Sequence, residues 1–452
     1  MKFMVAMEQE ELLEENTNDG ASDGVNDMPS VDNVDNAMLE TNEVADTVEE
    51  TAAQIEEATE GAEDLEKLGD AVAGTVEEGG MTPATAEVVD VAVESICKRL
   101  GISRKVVPAF ESFGSKSTRL QSTKVAMEGI AETARSIWDA IMRAIKKAYD
   151  YVVEFFKKIF DVSLKLKNRA EALIKSFEKL KGSASAKDLD LGSLAQKTSI
   201  GGKVIDGAGY AGAAKSVAAK VKASTGDAEN LLRVQQTVAE YFGKSTKELD
   251  KILAESKKVK EAQKSRGDVV GPAQGFANIE GSTITRGEEW LGNRTLIMVT
   301  PNEGAEDLSV AEKMKLLWGA GISVGDFNPR QTEVTETTVT YPQPTQIIAG
   351  LKEIIEISKD LDGAKKVIDA LSKVKGAVDK EVKLFMSTKD GAEKGEHEAI
   401  QSFKAFATKA IPSTSKFISA SNSLAVSCAK DLLDYADKAH YGFKNKAEKA
   451  AA

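Results

Sequence analysis

The sequence predicts a mainly α protein of elongated or bundled amphipathic helices with a small α+β insert, preceded by a disordered acidic N-terminal segment. Three observations predict it. Apolar residues recur at three- and four-residue steps through most of the chain after residue 129. Gly, Pro and β-branched residues gather between residues 267 and 344. Acids crowd the start of the chain, and no aromatic residue occurs between Glu8 and Val91.

The net charge of −13 over 452 residues conceals two oppositely charged parts. Residues 1–128 hold 29 Asp and Glu against 9 Lys and Arg, a net of −20, which leaves +7 on residues 129–452. Between Glu8 and Val91 the side chains are mostly Glu, Asp, Asn, Thr, Ala and Gly. Such a stretch has little apolar surface to offset the entropy of ordering, so disorder or transient helix is expected there. Val89 to Leu100 carries enough aliphatics for a short helix, and Gly101 to Lys124, basic and Ser-rich with Pro108, reads as a hinge.

The strongest helical pattern runs from Ile130 through Phe160. Ile130, Ala134, Ile137, Ile141, Ile145, Tyr149, Val152, Phe156 and Ile159 form one apolar face, and Arg143, Lys146, Lys147, Lys157 and Lys158 the charged one. The pattern continues through Leu164, Leu173, Phe177 and Leu180 to Gly182. Residues 183–224 are small and polar, with weak helical character, and a helix returns from Ala228 to Lys264 with Leu231, Leu232, Val238, Phe242, Leu249, Ile252 and Val259.

In the insert, Thr295 to Thr300 reads as a buried strand, Val310 to Trp318 as a short helix and Glu333 to Tyr341 as an exposed or edge strand. Pro342 and Pro344 close it, and Ile347, Leu351, Ile354, Leu361, Ile368, Leu371, Val378 and Phe385 restore helical spacing. Further helices follow Gly391 and Pro412. The domains expected are 1–128, a helical domain at 129–266, the insert at 267–344 and a C-terminal helical region at 345–452.

Few residues point to catalysis or metal binding. Cys97 and Cys428 lie far apart and give neither a disulfide framework nor a CxxC pair. Gly207-Ala208-Gly209-Tyr210-Ala211-Gly212 matches GxGxxG, but only Val204-Ile205 precedes it, and no strand ending in an acid lies about 20 residues on. It reads as small-residue packing. His397 and His440 are the two histidines, and Glu396-His397-Glu398 diverge by about 100° each on a helix and cannot grip one ion. No metal, cofactor or catalytic set is expected, so the chain reads as a non-enzyme. Phe3 to Met7 is too short for a secretory apolar region, and no window of 18 uncharged apolar residues exists.

The tetrapeptide Val-Ala-Met-Glu stands at residues 5–8 and again at 125–128, flanking the acidic segment. With Val91 to Glu94, these are the matches to aliphatic–small–any–Glu, all N-terminal to the strong amphipathic helix and in a stretch expected to be open to a protease. The junction Ser122-Thr123-Lys124-Val125-Ala126-Met127-Glu128-Gly129-Ile130-Ala131-Glu132-Thr133-Ala134, followed by Ile137-Trp138 and by Val153-Glu154-Phe155-Phe156-Lys157-Lys158-Ile159-Phe160, resembles the internal head proteins of phiKZ-like jumbo tailed bacteriophages. The resemblance covers residues 115–181.

It implies an acidic propeptide cut by a prohead protease after Glu in small–any–Glu sites, with the mature body kept inside the head. Carried onto this chain, Glu128 ends the propeptide, Gly129 begins the body and Ala126 is the small residue of the main site, with Glu8 and Glu94 as earlier cuts. The chain would be made in the bacterial host cytoplasm and end inside the capsid. Its partners would be the prohead protease, other capsid and inner-head proteins, and packaged DNA by non-specific proximity. Loss of residues 1–128 would turn a precursor that repels DNA into a body compatible with it.

Two other readings stay open. The face carrying Trp138, Lys146, Lys147, Phe155, Phe156, Lys157 and Lys158 suits an anionic membrane surface or a partner helix, as in a protein ejected into the host that acts at the inner membrane, although a core-facing bundle helix with a charged outer face is the favoured reading of the same pattern. An enzyme in the 267–344 insert would need a polar pocket with convergent ionisable groups.

Overall fold

The computed structural model describes residues 31–102, 113–180, 186–242, 249–264, 268–269, 282–301, 308–319, 321–331, 333–362, 365–387 and 394–451. The chain divides into two compact units, Met1–Gly24 with Glu50–Ala148 and Val25–Glu49 with Tyr149–Ala452. It is mainly helical with few, short strands, as the sequence predicts.

The extent of disorder expected in the acidic segment is corrected. Residues 1–30, with Glu8, lie outside the described residues, but from Val31 the segment is helix: α1 (Val31–Gly74) and α2 (Pro83–Leu100). The reason lies in α1. Val34, Ala37, Thr41, Val44, Val48, Thr51, Ile55, Ala58, Ala62, Leu65, Gly69 and Val72 alternate by three and four residues without a break, and all but Val44 and Gly69 are buried. Half of that seam is Ala, Thr or Gly, which weakens its hydropathy signal yet lets helices approach closely.

In the smaller unit, α2 begins at Thr82, whose side chain accepts the Thr85 N–H, with Pro83 in the first turn, and it ends at Gly101 in the left-handed region, φ 69°. A Cβ on Gly61 would sit 2.7 Å from Leu100 Cδ1, so α1 and α2 meet where a side chain is missing. The next helix, α3 (Lys116–Glu178), runs unbroken through the stretch read as a hinge from Lys116 onward. Thr123 fastens it: its hydroxyl accepts the Met81 N–H at 2.9 Å and donates to the Arg119 carbonyl at 2.9 Å.

In the larger unit, β1 (Asp188–Asp190), α4 (Leu194–Lys197), β2 (Ser199–Ile200) and β3 (Lys203–Val204) precede α5 (Gly207–Phe242). This helix corrects the weak character given to 183–224, and it again buries small residues, Ala213, Ala214 and Ala218, beside Val217 and Val221. Next come α6 (Leu249–Lys264) and a four-stranded antiparallel sheet of β4 (Asp268–Val269), β5 (Ser282–Arg286), β6 (Arg294–Pro301) and β7 (Gly321–Asp326). Its register sets Thr285 opposite Met298 and Met298 opposite Ile322. The helix α7 (Val310–Trp318) keeps its predicted bounds and is closed by a capping box between Ser309 and Glu312.

The strand expected at 333–341 shrinks to β8 (Thr338–Thr340), which pairs with β1, Leu189 opposite Val339, and not with the insert sheet. Before it, the Val334 N–H donates to the Gln196 side chain at 2.8 Å, so that backbone is satisfied without a neighbouring strand. The chain ends in α8 (Pro344–Asp362), α9 (Lys365–Ser387) and α10 (Lys394–Ala451).

Pro412 does not separate two helices, as expected from sequence, but lies inside α10. An interior proline costs about 3 kcal/mol, and here the flanking Phe403, Phe406, Phe417 and Ile418 are all buried. Within this unit α5 packs against α6, α8, α9 and α10, while α10 also meets α7 and β7.

Candidate functional site

The aliphatic–small–any–Glu sites fall on helices where they are described. Glu94 is exposed on α2. Glu128 is exposed on α3, Ala126 beneath it is buried, and Gly129 is half-buried, its carbonyl accepting from the Thr133 hydroxyl at 2.7 Å. The main junction is therefore an interior turn of a 63-residue helix, not an open loop. A protease needs an extended backbone, so a cut after Glu128 requires that turn to unwind.

The aromatic members of the face singled out from sequence point into protein. Trp138, Phe155 and Phe156 are all buried. The indole N–H of Trp138 donates to Glu66 of α1 at 2.8 Å, and Phe155 meets Phe156 edge-on at 6.0 Å. Lys146 and Lys147 are half-buried, Lys157 is exposed, and Lys158 forms an ion pair with Glu40 at 2.7 Å. This is a core-facing helix of a bundle with a charged outer face. Among the described residues, no helix is long and apolar enough to cross a membrane.

The partners that sequence reading missed are the acids of α1. In the larger unit Glu40 faces Lys158, and Asp35 faces Lys430 of α10 at 3.0 Å. The hydrogen bond from Lys158 holds the Glu40 carboxyl below the usual range, and the same bond raises the Lys158 ammonium. Burial works against the charge on Lys430, but Asp434 and Asp35 more than offset it and its pKa rises. In the smaller unit Arg99 faces Asp64 at 3.5 Å. The signal that finds these contacts is the unbroken three–four spacing of α1, which marks one face as packed.

The GxGxxG segment packs. A Cβ on Gly207 would lie 2.6 Å from Pro342 Cα, and Gly209 N–H donates to Asp206 at 2.7 Å. Buried Tyr210 stacks on Tyr435 at 4.9 Å and donates its hydroxyl to the Leu432 carbonyl at 2.7 Å. Cys97 and Cys428 are both buried thiols outside any disulfide, and burial pushes the Cys428 thiol up to about 11. His440 is buried edge-on against Phe177 at 5.1 Å, while the side chain of His397 lies outside the described residues. Among the described residues, no group of His, Cys, Asp and Glu could hold a metal ion.

The insert does border a cleft of about 680 Å³, between α5 and the sheet, lined among others by Lys220, Asp227, Arg286, Glu288, Trp290 and Phe417. Lys220 donates to Ser216 at 2.9 Å and stands 3.7 Å from Glu288. Arg286 donates through Nη1 to the Phe327 carbonyl at 2.6 Å, while its Nε and Nη2 are shut from solvent without a hydrogen-bond partner. Its charged groups are of both signs, and none of its described lining residues is His or Cys.

A family model described as phiKZ-like phage internal head proteins matches residues 29–438 of the chain. No curated protein and no solved structure matches it.

Proposed function

The chain belongs to the phiKZ-like phage internal head proteins, and on that premise we propose that it is a structural component of the prohead core, made as an acidic precursor, cut after Glu128 by the prohead protease and retained as a body with packaged DNA. Internal head proteins reside within the capsid, and the matched span includes most of the segment that this reading removes.

The observation that carries the reading is the charge boundary at Glu128, together with what lies across it. Before it the net charge is −20 and after it +7. Glu40, Asp35 and Glu66 on the acidic side engage Lys158, Lys430 and Trp138 on the other. The precursor thus covers part of its own cationic and aromatic surface with carboxylates. Removing residues 1–128 takes Glu40 from Lys158 and Asp35 from Lys430, which keeps Asp434, and strips a polyanion from a chain destined to lie among phosphates. A charge of +7 spread over 324 residues favours tolerance of DNA over sequence recognition.

The position of Glu128 inside a helix adds a condition. Cleavage is slow in the relaxed precursor and fast wherever assembly loosens that turn of α3. Intact mass and N-terminal sequence of the protein taken from native particles test the reading. A chain beginning at Gly129 is expected, and a full-length chain would sink it. Glu128→Ala should leave the precursor uncut at this site during infection.

A further inference from the structure

Residues 31–49 of α1 lie, within the larger unit, across two helices of the body. Glu40 reaches Lys158 on α3, with Lys165 adding attraction, and Asp35 reaches Lys430 on α10. These body helices are themselves joined further along by the Arg169–Asp437 ion pair and by Phe177 against His440 and Phe443. Val34, Ala37, Thr41 and Val48 on the same stretch are buried. The stretch is a strap with a buried apolar seam, seated in a groove whose rim carries Lys158, Lys165 and Lys430 with Asp161 and Asp434 beside them.

The strap is held by register more than by area. Its seam side chains are small, and its ion pairs are partly exposed, Glu40 at 56% and Lys158 at 33%. Half-exposed pairs contribute little each. The strap is also one end of the unbroken helix α1, so it is present at its own groove at a high effective concentration.

We propose that the groove between α3 and α10 is a docking site for the strap of another copy of this chain. Residues 31–49 of one copy seat in the groove of a second whose own strap has left, so that strap and groove form a joint between copies. The fit decides the occupant. The strap carries Asp32, Asp35, Glu40, Glu43, Asp46 and Glu49 with no Lys or Arg, and one apolar seam. Duplex DNA matches the lysines of the rim but has no apolar seam. Departure of the cis strap through a cut at Glu128 rests on the processing reading, whereas the groove and its specificity do not.

The test uses full-length chain. A variant with Val34→Asp, Ala37→Asp and Val48→Asp has a defective strap, and its fold is checked by circular dichroism and melting. A labelled peptide of residues 31–52 is then titrated by fluorescence anisotropy. The peptide should bind this variant about tenfold or more tightly than it binds the natural chain, whose own strap competes. Adding Lys158→Glu and Lys430→Glu should weaken binding about tenfold, and a peptide carrying Asp35→Lys and Glu40→Lys should restore it.

If the triple variant does not fold, a chain with Asp35→Lys and Glu40→Lys, which keeps the seam, takes its place with the same readout. No binding to a folded strap-defective chain, equal binding to the natural chain, or indifference to the charge swap overturns the proposal. Displacement by duplex DNA without charge-swap rescue reassigns the groove to polyanions and overturns it too. The N-terminus found in particles answers the processing question separately.

Discussion

Trp138 donates its indole N–H to Glu66 at 2.8 Å, so a carboxylate from the segment before Glu128 satisfies a buried ring from the segment after it. An indole N–H in apolar surroundings needs such a partner. Loss of residues 1–128 leaves Trp138 to water. Cutting the purified precursor after Glu128 and removing the acidic fragment should therefore shift tryptophan emission to longer wavelength. The shift should vanish in a Trp138→Phe chain, where Trp290 and Trp318 remain. An unchanged spectrum would mean that the fragment stays bound or that the ring finds another cover.

Thr123 ties the start of α3 to the chain before α2. Replacing it with Val keeps the shape but leaves the buried Met81 N–H without its acceptor. An unpaired buried donor costs about 1–3 kcal/mol. The substitution should lower the melting temperature of the smaller unit and, under the proposed processing, speed cleavage after Glu128 by loosening the turns next to it. Faster cutting without destabilisation, or the reverse, would separate the two effects and count against helix unwinding as the limiting step.

The stack of Tyr210 on Tyr435 leaves no room above it. A Cβ on Gly350 of α8 would fall 2.3 Å from Tyr210 Cε1. Overpacking of this kind typically costs about 1–3 kcal/mol, so Gly350→Ala should lower the denaturation midpoint without altering peptide binding in the groove. A variant as stable as the natural chain would show that Tyr210 has slack.

Cys428 sets an alkaline limit. Its thiol titrates at about 11 in the folded chain against 9.0 ordinarily, because burial disfavours the thiolate. Between those values the unfolded chain has released the proton and the folded chain has not, so stability is fully present below pH 9 and falls as pH rises to 11. At full burial the loss is about 2 kcal/mol across that window. Melting temperatures taken from pH 8 to 11 should decline less steeply for Cys428→Ala, and parallel slopes would refute the assignment. Tyr210 and Tyr435, both raised by burial, steepen the decline in both chains.

Much of the helical architecture was legible because large aliphatics mark a face unambiguously. Ile130 to Phe160 is helix with its apolar face inward, and Val310 to Trp318 is helix between its predicted ends. The errors share one cause. In α1 and the first half of α5 about half of the packed face is Ala, Thr or Gly, whose burial depends on how closely another helix approaches. Composition therefore read these stretches as polar. Pro412 and the 333–341 strand failed for a related reason, since neighbours override a local preference.

The sequence by itself determined the helical class, the charge boundary at Glu128 and the family resemblance, because periodicity, net charge and a local motif are properties of a string. Tertiary structure alone decided that Glu128 sits in an unbroken helix and that Glu40 and Asp35 meet Lys158 and Lys430. Those pairs join residues more than a hundred positions apart. Only packing of the α1 seam brings them within reach: the three–four spacing marks that face as packed but does not name the helices it meets.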